Sequence, residues 1–149
     1  MIATVTLNPA VDQTVRTDQP LSPEEVVRVE DAQFDAGGKG INVSKYLTEM
    51  GTETVATGVV GGFLGRFVTE RLASEGIESQ FVDIDGTTRL NSTVLATEGE
   101  YKLNQRGPAV SDAEVGAIAE RLSSLSPEIV VVAGSLPPGL DTDAIDRLA

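Results

Sequence analysis

The sequence of 149 residues contains no cysteine and no histidine. These absences exclude disulfide bonds, thiolate or imidazole ligands for a metal ion, cysteine nucleophiles and histidine general bases. Any chemistry must therefore depend on carboxylates, lysine, arginine, amides and the backbone. No metal site is predicted within this chain.

Basic residues are scarce as well, since 11 Lys and Arg face 23 Asp and Glu, which gives a net charge of -12. Nucleic acids and anionic membranes are disfavoured as partners because phosphate contacts need clustered basic side chains. No stretch approaches the roughly 20 apolar residues of a membrane span, and no basic segment precedes a long apolar run at the start. We therefore expect a cytoplasmic protein, and the acidic excess also suits the salt-rich cytoplasm of a halophilic cell.

Strand-like and helix-like segments alternate along the chain without an internal repeat or a linker. Helical spacing of apolar residues follows two glycine clusters, at 37–40 and 58–62, and each helix ends at a glycine. Ser111, with Glu114 three residues later, carries the capping-box signature of a third helix. The apolar run 129–133 is typical of a central parallel strand. Together these segments predict an α/β domain with a mostly parallel central sheet flanked by helices.

Two β-rich segments, about 13–35 and 81–107, interrupt this alternation. Turn signals at 85–86 and 98–99 favour hairpins in the second segment. The two segments predict a small β-sheet beside the main one. The last residues, 141–149, begin a helical pattern without a stop signal, so we expect a truncated chain.

The glycines around Lys39 fit neither of two common phosphate-binding motifs. A Walker A loop fails because position 33 is Gln and Lys39 is followed by Gly40. The glycines at 58–65 fail the dinucleotide fingerprint, since position 60 is Val, which also disfavours a Rossmann oxidoreductase.

What remains is a di-glycine, Gly37 and Gly38, at which the backbone can approach a small polar ligand. Lys39 would supply a point charge, and Asn42 would supply an amide in the first helical turn. The alternative is a glycine turn with a solvated lysine, which would be the better interpretation if the motif stood alone.

The motif does not stand alone. The sequence contains, in order, TLNPAVD at 6–12, GGKGINV at 37–43, GVVGGFLG at 58–65, TRLN at 88–91, NQRGP at 104–108 and AGSLPPG at 133–139. As a set these motifs resemble the PfkB (ribokinase-like) carbohydrate kinases, and among them the 1-phosphofructokinase and tagatose-6-phosphate kinase branch. The resemblance covers the whole chain and corresponds to about the N-terminal half of such an enzyme.

The resemblance implies a ribokinase-like fold in which the two β-rich segments form a lid that closes over a sugar and pairs between subunits as a homodimer. It implies ATP and Mg²⁺ as cofactors and a small sugar phosphate as the partner molecule. Its general base is an Asp in a Gly-Ala-Gly-Asp motif beyond Ala149, so no catalytic residue is expected within this chain.

The substrate that the resemblance favours is fructose 1-phosphate, which would become fructose 1,6-bisphosphate. Tagatose 6-phosphate and fructose 6-phosphate are alternatives, because the motifs do not separate these sugars. A sugar-phosphate-binding protein without turnover is a further alternative.

The resemblance also assigns a set of substrate-binding residues. Asp12 would accept hydrogen bonds from sugar hydroxyls, and Arg89 is the candidate for the substrate's phosphate because its guanidinium fork matches phosphate oxygens. Ser135 follows a buried strand at its carboxyl end, where open α/β sheets bind ligands. Simpler interpretations are a turn aspartate, a surface arginine paired with acidic neighbours, and a turn serine before two prolines. The full set is Asp12, Gly37, Gly38, Lys39, Asn42, Arg89, Asn91, Asn104 and Ser135.

Overall fold

The structure, a computed structural model, describes residues 1–148. Within them, strands and helices follow one another in the α/β order that the sequence predicts. The strands are β1 (Ile2–Thr6), β2 (Ala10–Arg16), β3 (Asp31–Gly37), β4 (Thr54–Val60), β5 (Glu78–Ser79), β6 (Val82–Asp83), β7 (Arg89–Leu95), β8 (Glu100–Asn104) and β9 (Ile129–Val132). The helices are α1 (Lys39–Glu49), α2 (Gly62–Ser74), α3 (Asp112–Leu125) and α4 (Asp143–Asp146).

The main sheet has the strand order β5-β4-β1-β9, with β6 also paired to β4. Every described pairing in it is parallel. Strand β1 lies between two neighbours, so that Val5 pairs with Thr57 on one side and Val132 on the other. A strand covered on both faces must be apolar or small throughout, which explains the buried run from Ala3 to Thr6.

Helices cover both faces of this sheet. Helices α1 and α2 cover one face through a core that includes Ile41, Ala56, Val68, Leu72 and Ile77. Helices α3 and α4 cover the other through a core that includes Val5, Val59, Val115, Ile118 and Leu148. The capping box that the sequence predicts at Ser111 and Glu114 is present and starts α3.

A chain of buried hydroxyl groups joins α1 to the main sheet. The Ser44 Oγ lies 2.7 Å from the Thr4 Oγ1 and 3.0 Å from the Thr54 Oγ1. All three residues are buried. Their small side chains let the helix lie close to the sheet. Each hydroxyl group forms a hydrogen bond with another hydroxyl group that would otherwise be buried without a partner.

A second, four-stranded sheet, here called the lid, has the order β3-β2-β7-β8. Strands β2 and β7 are parallel, whereas the β2-β3 and β7-β8 pairs are antiparallel. Side chains alternate between its two faces, because paired residues point to the same side of a sheet. One face is polar and carries Asp12, Asn91 and Asn104, while the other carries mostly apolar residues such as Val11 and Phe34.

Two boundaries and the position of one strand differ from the sequence prediction. The lid begins at Ala10, and Val82 pairs in parallel with β4 of the main sheet instead of forming a lid hairpin. Val82 packs against the buried core, which explains its place in the main sheet. Strand β9 lies at the sheet edge within residues 1–148, where Ile129 is 53% exposed. No helix in this part of the chain has the length and apolar character of a membrane span.

Candidate functional site

A polar cavity of about 470 Å³ lies between the lid and the carboxyl end of β1. Eight of the nine substrate-binding residues that the resemblance assigns line it, and the ninth, Gly37, lies directly beneath one of them. Two further residues, Asn8 and Gly134, also line the cavity. The complete lining is Asn8, Asp12, Gly38, Lys39, Asn42, Arg89, Asn91, Asn104, Gly134 and Ser135.

Strand register brings three of these side chains into one row across the lid. Asp12 pairs with Asn91 in the parallel register, and Asn91 pairs with Asn104 in the antiparallel one. The three side chains therefore share the polar face. A row of one carboxylate and two amides offers hydrogen-bond acceptors and donors at the spacing of adjacent strands, which suits a polyhydroxylated ligand.

Gly37 permits the position of the Asp12 carboxyl group. A Cβ atom added at Gly37 would overlap the Asp12 Oδ2 and would lie 2.6 Å from its Cγ. Steric overlap therefore requires a glycine at position 37, although the backbone torsion angles there are not unusual. The first glycine of the GGKG motif thus makes room for a side chain of the same site.

The environment of Asp12 raises the pKa of its carboxyl group above the ordinary 3.8. Desolvation is the main cause, and the nearby Asp35 carboxylate adds to it. The Asn91 amide and the Arg89 guanidinium oppose the rise. A partly desolvated carboxylate accepts strong hydrogen bonds, so Asp12 is well prepared to hold a hydroxyl group.

Arg89 is held mainly by backbone carbonyls. Its Nε and Nη2 donate to the Asn8 carbonyl at 3.3 and 3.0 Å, and its Nη1 donates to the Gln105 carbonyl at 3.2 Å. Burial lowers the pKa of Arg89, and the Asp12 carboxylate opposes this effect. Because a guanidinium carries five N–H donors, two remain for a ligand in the cavity.

The start of α1 adds positive potential to the cavity. Its N-cap is Gly38, which has no side chain that could accept a hydrogen bond from the first turn. The first helical hydrogen bond runs from the Asn42 N–H to the Gly38 carbonyl at 2.8 Å. Earlier N–H groups have no acceptor within the helix, and together with the exposed Lys39 they favour an anion at this end.

An ion-pair network ties the lid to the helices beside the cavity. Asp35, opposite Asp12 in the lid, lies 2.8 Å from the Lys45 Nζ and 3.3 Å from the Arg71 Nε. Both cations also contact Glu75, at 3.4 and 3.0 Å. Partial burial acts to raise the pKa of Asp35, but Lys45, the Ala36 N–H and Arg71 outweigh it and lower the pKa.

Sequence reasoning missed Asn8, Gly134 and this network. Asn8 stands within the TLNPAVD motif, so its signal was present but was attributed to Asp12 alone. Gly134 stands in the AGSLPPG motif, next to Ser135. The charges of the network come from three separate elements, and no sequence pattern links them.

The main sheet, the lid at its carboxyl edge and the sugar-sized polar cavity between them define a ribokinase-like fold. The family model described as pfkB family carbohydrate kinase matches residues 5–149. The chain belongs to this family.

Individual relatives agree with this assignment. The chain is 50% identical over 149 residues to a 1-phosphofructokinase of Haloferax volcanii and 37% identical over 144 residues to a D-tagatose-1-phosphate kinase of Bacillus licheniformis. The matches cover 100% and 96% of this chain, but 49% and 47% of the two relatives. The chain therefore spans about half the length of the curated relatives that it matches.

Solved structures support the same fold. The chain superposes on phosphofructokinase-2 of Escherichia coli in complex with fructose-6-phosphate with a TM-score of 0.88 at 29% identity, covering 99% of this chain and 49% of that one. The same Escherichia coli enzyme has also been solved in a tetrameric inhibited form.

Proposed function

We propose that the complete gene product is a phosphotransferase that phosphorylates fructose 1-phosphate at its 6-hydroxyl, giving fructose 1,6-bisphosphate. One observation carries the proposal: side chains from β2, β7, β8, the start of α1 and the loop after β9 converge on one polar cavity beside an uncapped helix start. The similarity to the Haloferax volcanii 1-phosphofructokinase supports this choice of substrate.

The residues of this chain bind and orient the sugar phosphate. Asp12 accepts hydrogen bonds from ring or chain hydroxyls, with Asn91 and Asn104 beside it in the same row. Arg89 and Lys39 approach the phosphate from two sides, with the N–H groups at the start of α1. Asn42 and Ser135 complete the polar wall. Positioning of this kind is the main contribution that a protein makes to phosphoryl transfer.

The phosphoryl donor in this proposal is ATP, with Mg²⁺ to neutralise the transferred group, as the resemblance implies. Residues 1–148 hold no cluster of three or more acidic, His or Cys side chains that could bind a metal ion. We therefore assign no Mg²⁺ ligand within residues 1–148 and derive no step through the ion. We propose that the general base and the nucleotide pocket lie outside residues 1–148.

Other sugar phosphates are the second candidate. A relative named D-tagatose-1-phosphate kinase and a phosphofructokinase-2 solved in complex with fructose-6-phosphate are both similar to this chain over its length. The residues that line the cavity are polar on every side and do not by themselves select one ketose phosphate. A non-catalytic sugar-phosphate-binding role is the alternative from a different functional class.

The decisive experiment measures ATP-dependent turnover of fructose 1-phosphate, tagatose 1-phosphate, tagatose 6-phosphate and fructose 6-phosphate by the complete gene product. Asp12→Ala should lower kcat/KM for the preferred sugar at least about tenfold, the loss expected for one charge-assisted hydrogen bond. Asp146→Ala is the matched control, because Asp146 is exposed on α4 and does not line the cavity. Absence of turnover with all four sugars, despite measurable binding, would favour the non-catalytic alternative.

We also propose a homodimer formed through the lid. The apolar lid face exposes Phe34, Tyr101 and Leu103, with Leu103 59% exposed. Exposed apolar side chains on one sheet face are typical of an interface. Leu103→Glu should therefore give a monomer in light scattering, whereas Tyr46→Glu, on the exposed surface of α1, should leave the mass unchanged.

A kinase that consumes ATP belongs in the compartment that supplies it, so a cytoplasmic location accompanies the proposed activity. The net charge of -12 supports a further proposal, adaptation to a salt-rich cytoplasm.

A further inference from the structure

Asn8, in the connection between β1 and β2, is buried where three segments of the chain meet. It is only 5% exposed. Its Nδ2 donates to the Arg106 carbonyl at 2.9 Å and lies 3.3 Å from the Ser135 Oγ. Its own backbone carbonyl accepts both bonds from the Arg89 guanidinium described above. One residue thus contacts the start of β7 and the segments after β8 and after β9.

The amide of Asn8 has one allowed orientation. The Arg106 carbonyl can only accept a hydrogen bond, so the group facing it must be the Nδ2. The Oδ1 lies against Gly107, where an added Cβ would overlap it. Among residues 1–148 this buried oxygen has no hydrogen-bond partner. Turning the amide over would set the Asn8 Oδ1 against the Arg106 carbonyl oxygen.

We propose that Asn8 is a positioning residue that fixes the Ser135 hydroxyl and the 104–107 segment against Arg89, and so sets the affinity for the sugar phosphate. This inference rests on the proposed function for its substrate. Asn8 acts through its neighbours: the side chain holds Ser135 and the Arg106 backbone, while its carbonyl holds the guanidinium. Arg89 and Ser135 both line the cavity. Loss of the Asn8 amide should therefore weaken binding of the sugar phosphate and leave binding of the phosphoryl donor unchanged.

A merely structural role for Asn8 makes a different prediction. If the amide only joined loops, its loss would reduce the amount of folded protein and leave the KM of both substrates unchanged. A positioning role raises the KM for the sugar phosphate and leaves the KM for ATP unchanged. Local hydrogen exchange gives a second readout that does not depend on turnover, because exchange reports the opening of individual segments.

The test compares three variants of the complete gene product. Asn8→Asp keeps the size but removes the donor, and Asn8→Ala removes the whole group. Gly107→Ala keeps the asparagine at position 8 but adds a Cβ where the Asn8 Oδ1 lies, and so pushes the amide out of its position. Since Gly107 also has a positive φ of 94°, the matched control is Gly76→Ala, at a φ of 74° with no atom near the added Cβ.

Each of the three variants should raise the KM for fructose 1-phosphate about tenfold, as expected when a buried hydrogen bond is lost, with an unchanged KM for ATP. Amide exchange at Gln105, whose N–H donates to the Leu90 carbonyl at 3.4 Å, should become at least about tenfold faster, while β1 and β4 keep their protection. The Gly76→Ala control should show neither change.

Unchanged exchange at Gln105, or a parallel rise in both KM values, would overturn the assignment of Asn8. A wild-type protein without turnover would overturn the proposed function alone, since the exchange data would still decide whether Asn8 positions the 104–107 segment.

Discussion

The Gly37→Ala substitution adds a single methyl group where the Asp12 carboxyl group now lies. The added Cβ would sit 2.6 Å from the Asp12 Cγ, whereas an ordinary contact is 3.4 Å or more, so the carboxyl carbon must move by at least 3.4 − 2.6 = 0.8 Å. The backbone of Gly37 does not have a positive φ, so alanine is not strained by its own conformation. The main effect of the substitution is therefore to displace the Asp12 carboxylate.

The size of the effect follows from that displacement. A shift approaching 1 Å breaks a hydrogen bond whose useful range is only about 0.5 Å wide. Charge-assisted hydrogen bonds contribute about 1.5–3 kcal/mol, which corresponds to a loss of roughly 10- to 150-fold in kcat/KM. We expect the Gly37→Ala enzyme to fall within this range for its preferred sugar phosphate.

The assay is steady-state kinetics on the complete gene product, arranged as a double-mutant cycle with Asp12→Ala. If Gly37→Ala acts through Asp12, it should change kcat/KM by less than about twofold in the Asp12→Ala background. Gly116→Ala is the control, because Gly116 lies in α3 with no atom near the added Cβ and should gain about 0.5–1 kcal/mol of stability. An equal loss from Gly37→Ala in both backgrounds would refute the reasoning.

Three further predictions concern stability. The melting temperature should rise between low and molar KCl. At molar salt the Debye length is about 3 Å, and this screening weakens the repulsion within a chain of charge -12. A melting temperature that stays flat or falls with KCl would count against salt adaptation. Ser44→Ala should cost about 1–3 kcal/mol of unfolding free energy in denaturant titrations, since it leaves Thr4 and Thr54 hydroxyls unpaired, while the exposed Ser124→Ala should cost less than about 0.5. Asp35 has a lowered pKa, so it stabilises the fold above its ordinary 3.8 and loses this effect as the pH falls through its folded pKa. The difference in melting temperature between wild type and Asp35→Asn should therefore shrink below pH 3.8, and a constant difference would contradict this.

Local patterns predicted the helices and the buried strands well. Apolar spacing places α1 and α2 within a few residues of their observed bounds, and the capping box at Ser111 marks the start of α3. Such local patterns could not predict which strands the short strands pair with. Strand β6 has only two residues, and its partner is decided by the packing of Val82 against the core. Strand β9 has the apolar composition of a central strand, but its position at the edge depends on which strands pair with it.

Most of the candidate site could be predicted because its residues belong to separate short motifs. No pattern within the sequence reveals that Asp12, Asn91 and Asn104 form one row, since that follows from strand register. The commitment of three Arg89 donors to backbone carbonyls was equally hidden, because backbone groups leave no trace in the sequence.

Two of the four connections between the lid and the body are very short. Residues 7–9 separate β1 from β2, and Gly38 alone separates β3 from α1. The other two connections to the body are longer, at 84–88 and 105–111, and the loops 17–30 and 96–99 join strands within the lid. For protein engineering this asymmetry sets where length can change. A fluorophore or epitope inserted at 96–99 would lie between two strands of the lid, away from its connections to the body, whereas one added residue at 7–9 would shift the register between Asp12 and every group that faces it.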